Sequence, residues 1–314
     1  MHHEEIGVNI SETGERLDTF LAGKTGITRS QIQTLIKKGH VLVNATKAAQ
    51  NHRVKAHDII SLSIPDKETE GLVPESIPID ILYKDEHCVV VNKPPGMVVY
   101  PAAGHRQGTL MNALSYLYQD LSAPGGPLRP GIVHRLDKDT SGVIVIACNN
   151  QAYYDLIEQF KQRAINRRYL ALVYGNLRED KGKILQNIGR SDSDRKKMST
   201  RSRRAKEAVT KWKVLKRFCH ASFIEVKLGT GRTHQIRVHF ASIGHPVLGD
   251  KTYGEKTELT VKGEEKIFFP RQMLHAELLG FIHPLSGEYL EFSSPMPEDM
   301  AERIRELLHC QSEK

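Results

Sequence analysis

The sequence predicts an α+β protein: a large domain built on a mixed, mainly antiparallel sheet, with a small α+β module in front of it. Three observations lead there. Apolar stretches with strand character are joined partly by hairpin-like turns and partly by helices, which argues against a doubly wound nucleotide-binding sheet. Residues 65–78 hold three prolines and four acids but few large apolar side chains, the composition of an extended linker. The 314 residues exceed one ordinary core, so a module at 1–64, a linker at 65–78 and a second domain at 79–314 fit the length.

In the module, Leu17, Phe20 and Leu21 recur at helical spacing, and Ser30 is placed to cap a second helix carrying Ile32, Leu35 and Ile36 that stops at Gly39. Short strands follow at 41–44 and 58–62. Arg29, Lys37, Lys38, Arg53 and Lys55 are spread across this unit, as a solvated surface or as contacts to a polyanion. Beyond the linker, strands are expected at 88–91, 142–147, 169–173, 209–215 and 223–228. Helices are expected at 110–117 and after Asn150, the proposed cap of a stripe of Tyr153, Leu156, Ile157 and Phe160.

A formal charge of +8 and a pI near 9.2 suit a polyanionic partner without requiring one. The start Met1-His2-His3-Glu4-Glu5 lacks a targeting pattern, and the longest apolar run, 143–148, is too short to span a bilayer. Cys88, Cys148, Cys219 and Cys310 have no paired spacing, which fits reduced thiols in a cytoplasmic protein rather than a zinc site or a disulfide scaffold. The expectation is a monomer without membrane, metal or cofactor.

The most informative segment is Gly131-Ile-Val-His-Arg-Leu-Asp-Lys-Asp-Thr-Ser-Gly142, which runs into an apolar strand and so presents an acid at a sheet edge. Two other readings compete. Such residues make tight turns readily, and Asp137, Asp139, Ser141 and Gly142 imitate the start of a calcium loop, although its twelfth position would be Cys148 instead of a bidentate Glu. Farther on, the turn from Gly229 to Thr233, which includes Arg232, resembles an anion-binding turn without the ending of a nucleotide P-loop. Residues 195–217, with Arg203 and Arg204, carry eleven Lys or Arg against one acid, Glu207. They read as a solvated hairpin or as a clamp on an RNA backbone, with Trp212 and Phe218 close by. His234 and His239 lack a coherent metal-ligand set.

Several segments, taken together, carry a resemblance. His134-Arg135-Leu136-Asp137-Lys138-Asp139-Thr140-Ser141-Gly142 looks like the signature of the RluA/RluD family of pseudouridine synthases. Asn92-Lys93-Pro94-Pro95-Gly96-Met97, Arg168-Tyr169-Leu170-Ala171, Gly231-Arg232-Thr233-His234-Gln235-Ile236-Arg237-Val238-His239 and His245-Pro246-Val247-Leu248-Gly249-Asp250 match further family segments in order. Residues 16–44 resemble the RNA-binding module first described in ribosomal small-subunit protein four, with Thr28-Arg29-Ser30 where Ser-Arg-Ser is common. With that module included, the chain is most similar to the members of the D type. Tyr100 departs from the family's usual His in V-V-H-P.

The resemblance implies cofactor-free isomerisation of uridine to pseudouridine in structured RNA, most of all large-subunit ribosomal RNA or its precursor particle. Asp137 would be the catalytic carboxylate. Arg237 would be its partner, held by a helix that Thr233 caps, and Tyr169 would lie against the uracil. Arg135 would fill the space a flipped base vacates, since a planar cation can stack and bond phosphate at once. Arg232, Arg203, Arg204, Arg29, Lys37 and Lys38 would contact RNA. A rival reading is an RNA-binding assembly factor without activity; another is a nucleoside hydrolase, which needs a second carboxylate as general acid.

Overall fold

The computed structural model describes residues 2–49, 51–64, 71–102, 104–118, 123–194, 196–261 and 266–312. Residues 65–70 of the expected linker and Arg195 of the basic stretch therefore lie outside the described residues. The chain divides into two compact units, Met1–Glu70 and Gly71–Lys314.

The first unit is a sheet of β1 (His2–Gly7), β2 (Val41–Val43), β3 (Thr46–Lys47) and β4 (Ile59–Ile64), in the order β1-β4-β2-β3, with α1 (Leu17–Thr25) and α2 (Arg29–Lys37). Leu17 and Leu21 of one helix and Ile32 and Ile36 of the other meet Val41, Ile60 and Leu62 in its core. The cap of α2 is Thr28, not Ser30. The Thr28 N–H donates to Gln31 Oε1 at 3.2 Å, so the T-x-x-Q spacing sets the helix start and leaves Ser30 two residues too far in to cap. Asp18 is fully buried and accepts from Arg16 Nε at 3.0 Å, Arg29 Nε at 2.9 Å and Gln33 Nε2 at 2.6 Å. Those donors, Arg16 first, hold its carboxyl far below the usual range. Part of the module's positive charge thus serves its own fold, while Lys37 and Lys38 stay exposed.

The second unit contains, in chain order, β5 (Asp80–Lys84), β6 (Cys88–Lys93), α3 (Leu110–Leu117), β7 (Ser141–Ala147), α4 (Asn150–Gln162), β8 (Asn166–Tyr174) and β9 (Lys181–Leu185). It continues with β10 (Gly189–Arg190), β11 (Met198–Ser199), β12 (Val209–Arg217), β13 (Ala221–Leu228), α5 (Gln235–Ser242), β14 (Glu258–Thr260) and β15 (Lys266–Phe268). Last come β16 (Leu274–Ile282), β17 (Tyr289–Ser293) and α6 (Glu298–Ser312). The main sheet runs β5-β6-β7-β16-β8-β13-β12-β9, with β17 on β16. Among the described residues only β7 and β16 pair in parallel, so the sheet is mixed and mainly antiparallel, as expected.

Burial follows the two-residue period. Ile144 and Ile146 of β7 face the core that α3 and α5 join through Leu110, Leu114, Ile236 and Phe240. Val143 and Val145 face the opposite core with Leu156 of α4. A strand covered on both sides reads as an unbroken apolar run, which is how 142–147 stood out.

Three local expectations need correction. The α4 cap is Asn149, whose Oδ1 accepts from the Ala152 N–H at 2.9 Å, one residue before Asn150. Residues 71–78 have no regular structure but do not run free: the Glu75 N–H donates to the Asn112 carbonyl at 3.0 Å, and Asn112 Nδ2 donates to the Val73 carbonyl at 2.8 Å. Leu72 and Ile79 supply apolar surface that draws this stretch onto the core. The basic stretch is not a free solvated hairpin, because its β12 arm, paired with β13, also pairs with β9 inside the sheet; Trp212 packs over Gly182 and Phe218 is buried.

Gly142 sits where β7 meets β16, at a φ of 113° that L side chains rarely adopt, and a Cβ there would overlap the Ala276 carbonyl. Gly142→Ala is expected to destabilise the second unit by about 2–4 kcal/mol. Chemical denaturation read by far-ultraviolet circular dichroism checks this, and an unchanged midpoint contradicts it.

Candidate active site

The segment before β7 is shaped by its backbone. Gly131, at a φ of 69°, lets the Ala147 carbonyl come so close that no Cβ would fit, and the Thr140 N–H closes a turn on the Asp137 carbonyl at 3.1 Å. Two buried cations then grip the loop by its carbonyls. Lys93 Nζ donates to Lys138 O at 3.1 Å as well as to Pro94 O and Met97 O, and Arg271 Nη1 donates to Asp139 O at 3.0 Å. Arg271 is itself held by Asp299 at 2.6 and 2.8 Å. Burial pushes the fully enclosed Lys93 ammonium down to about 7, against the pull of the Asp139 and Asp137 charges. The calcium reading fails in the fold too: Ser141 Oγ hydrogen-bonds His275 Nδ1 and Thr140 Oγ1 accepts from Gln272 Nε2, while Asp139 spends its carbonyl on Arg271.

The loop delivers Asp137 into a cleft of about 310 Å³. Arg237 Nη1 donates to Asp137 Oδ2 at 2.8 Å. On its other side the same guanidinium is clamped by Asp250, Nε to Oδ2 at 2.7 Å and Nη2 to Oδ1 at 2.9 Å. Asp250 is buried and also accepts from the Thr252 and Tyr253 N–H groups at 2.8 and 3.2 Å. Desolvation opposes the charge, but the hydrogen bonds that Arg237 donates to Asp250 and the nearby Asp137 charge outweigh it and raise Arg237 far above its ordinary range.

The helix that carries Arg237 is not capped by Thr233. Its cap residue is His234, in the left-handed region at φ 55°, with no side-chain cap bond. Gln235 does the equivalent work: its Oε1 accepts from the Arg232 N–H at 3.0 Å and from Thr230 Oγ1 at 2.7 Å. His234 Nδ1 lies 2.7 Å from Tyr253 Oη and its Nε2 3.6 Å from Asp137; burial lowers its basicity against the pull of Asp137.

Tyr169 lies in the cleft wall on β8, buried and pushed up chiefly by desolvation, with the Arg167 charge pulling it down and the Asp137 charge pushing it up. Arg135 is exposed at the rim and its Nη1 donates to Tyr100 Oη at 2.9 Å, with Cζ 5.4 Å from that ring. Tyr100, where family members usually have His, therefore makes a definite contact. Arg232 lines the cleft and donates to the Glu207 carbonyl at 3.0 Å. Arg203 and Arg204 are exposed, and Arg29 is half exposed while paired with Asp18. The structure brings Asp137, Tyr169, Arg237, Arg135 and Arg232 to one cleft; Arg203 and Arg204 of the same unit do not line it, and Arg29, Lys37 and Lys38 belong to the first unit.

Three features escaped the sequence reading. The arginine that shares the cleft with Tyr169 is Arg167, one residue before the matched segment Arg168-Tyr169-Leu170-Ala171, because alternation puts 167 and 169 on one face of β8 while Arg168 turns away to Glu277. Counting two residues back from Tyr169 would have found it. Asp250 was seen only as the end of a motif, since a pairing thirteen residues from Arg237 leaves no periodic trace. His134 is structural: it stacks on Phe160 at 4.7 Å and accepts from the Val145 N–H, and burial pushes it down to about 3, so it stays neutral.

Asp85, Cys88 and His283 bring possible metal ligands within 4.8 Å of one another. Their bonding is already filled. Asp85 accepts from Tyr83 Oη, the His87 and Cys88 N–H groups and His283, and burial drives the Cys88 thiol well above the usual thiol range.

The chain matches the family model of RNA pseudouridylate synthases over residues 87–242 and that of the S4 domain over residues 15–60. It is 43% identical to the uncharacterized RNA pseudouridine synthase YlyB of Bacillus subtilis, covering 98% of this chain and 99% of that one. It is 42% identical to the ribosomal large subunit pseudouridine synthase D of Zymomonas mobilis, covering 96% of each. Its fold resembles that of human RNA pseudouridylate synthase domain containing 1, with a TM-score of 0.55, 27% identity, 74% of this chain and 96% of that one covered. With a cleft built around one clamped carboxylate and an S4 domain ahead of it, the chain belongs to the RNA pseudouridylate synthase family.

Proposed function

We propose that the protein isomerises uridines of large-subunit ribosomal RNA, with Asp137 as the catalytic carboxylate. The observation that carries this reading is Asp137, the one carboxylate lining the cleft among the described residues, tied to Arg237 at 2.8 Å in a cleft that Tyr169 also lines. Relatives named for the ribosomal large subunit support the choice of RNA.

The chemistry needs no outside reagent. The bond from C1′ to N1 breaks with its electron pair on the uracil, the base turns, C5 bonds to C1′, and the proton on C5 passes to N1. A carboxylate suffices to begin, either by bonding to C1′ or by taking the ribose C2′ proton. Arg237 aims it, and Asp250 keeps Arg237 from turning away. Tyr169 offers its ring to the base; to receive the C5 proton it must first release its own, which Arg167 favours and Asp137 opposes. Uridine must leave its stack to enter, at a cost of a few kcal/mol, and Arg135, steadied by Tyr100, is placed at the rim to fill the gap. A nucleoside hydrolase would need a second acid in the cleft, and among the described residues Asp137 is the only one lining it.

Mapping pseudouridine across ribosomal RNA from cells with and without the protein tests the substrate: loss at defined large-subunit uridines is expected, and an unchanged map refutes it. Asp137→Asn should abolish product while RNA affinity, spread over many phosphate contacts, stays within a fewfold. Product formation at the parental rate by that variant would remove Asp137 from the mechanism.

Arg237→Gln leaves one buried carboxylate and one enclosed one without their cation, a loss of about 3–5 kcal/mol for a broken buried pair. Asp137 also loses the contact that aims it. Single-turnover rate at saturating RNA should therefore fall strongly. A rate equal to the parent's would show that the pair is not used.

A further inference from the structure

We infer that Arg167 receives a phosphodiester of the RNA strand that carries the target uridine, making an anion site at the glycine-rich turn beside the cleft. The inference depends on the isomerase reading above.

Arg167 is 8% exposed and lines the cleft. Its Nε is buried without a hydrogen-bond partner, and no carboxylate among the described residues pairs with its guanidinium. The neighbouring arginines differ in this. Arg237 has two carboxylates, Arg271 has Asp299 and three carbonyls, and Arg168 has Glu277. A buried guanidinium left unmatched opposes folding, so its retention points to a partner that arrives later.

Its surroundings fit an anion. Cζ lies 5.4 Å from the Phe160 ring centroid, which fixes the plane of the fork. A Cβ on residue 231 would stand 2.8 Å from Nη1, so Gly231 is what lets the guanidinium lie against the turn that enters α5. That turn leads into α5, whose N-terminal end carries the positive pole of the helix dipole. Arg135, Lys161, Arg232 and Arg237 line the cleft with Arg167, against one carboxylate, Asp137, which Arg237 already holds.

The ligand chemistry follows from permanence. Uracil and ribose are uncharged when they enter, whereas a buried fixed cation is matched by a fixed anion, and the phosphodiester is the one that comes with uridine. A planar fork also suits two phosphate oxygens at once. The alternative is that Arg167 acts only on the Tyr169 phenol, whose charge it can stabilise.

The test uses the full chain and the stem-loop RNA that mapping identifies, prepared with a single neutral methylphosphonate on the 5′ or the 3′ side of the uridine. For all-phosphate RNA, Arg167→Gln should weaken binding by about tenfold to a hundredfold, the range of a charge-assisted hydrogen bond, and lower the slope of log K against log salt by about 0.7–0.9. One of the two neutral linkages should weaken the parent by the same factor and add nothing in the variant; which one it is names the phosphate. Arg167→Lys, which keeps the charge but not the fork, should fall between. Losses that multiply at both linkages overturn the assignment, and so does parental binding by Arg167→Gln with a slower, pH-shifted rate at saturation, the mark of action on Tyr169. Should Arg167→Gln fail to fold, a parent indifferent to both neutral linkages overturns it equally, and the Arg167→Lys cycle decides if it is sensitive. A parent that makes no pseudouridine in the unmodified stem-loop instead removes the isomerase reading and this site with it.

Discussion

One guanidinium shared between two carboxylates organises this protein. Arg237 is fixed from behind by Asp250, whose Oδ1 also accepts from two backbone N–H groups, so the Nη1 end of the fork is the one that reaches forward to Asp137. Because Asp250 is buried and Asp137 is not wholly so, the first contact positions and the second aims. A flexible lysine could hold either carboxylate but not both at fixed angles.

The opposing half of the site depends on the same economy of fixed groups. Asp137 comes from a loop, which would ordinarily move, yet its backbone is tied by Lys93, by Arg271 and by the close approach of β7 to β16 at Gly142. The first two ties set buried cations against carbonyl oxygens of the loop, and so leave its Asp137 carboxylate free for Arg237. The parallel pairing of β7 and β16 brings the His275–Ser141 and Ala276–Gly142 pairs together at the start of β7, directly after the turn that holds Asp137. That is where a sheet can support a side chain without covering it.

Charge is distributed by the same logic across the chain. In the amino-terminal unit Asp18 gathers Arg16, Arg29 and Gln33, turning part of a basic sequence inward, while Lys37 and Lys38 remain in solvent. Along β8, Arg167 turns into the cleft and Arg168 to Glu277, so adjacent arginines of one motif have unrelated electrostatic fates. Net charge alone distinguishes none of these cases.

The sequence by itself determined what depends on period and local chemistry. The run 142–147, the helix at 110–117, the S4-like unit and the carboxylate of the 131–142 segment were legible because apolar alternation, Gly and Pro punctuation and motif spacing are properties of neighbours along the chain. Caps were misread by one or two residues at Ser30 and Asn150, and Gln235 took over a role expected of Thr233, because several polar residues in a row compete and only backbone geometry selects one. Tertiary structure alone decided that Asp250 clamps Arg237, that Lys93 and Arg271 grip the Asp137 loop, that Trp212 is core and that Arg167 rather than Arg168 faces the cleft. Those pairings join residues brought together by sheet order, and a long-range contact between a carbonyl and a cation leaves no period in the sequence from which to read it.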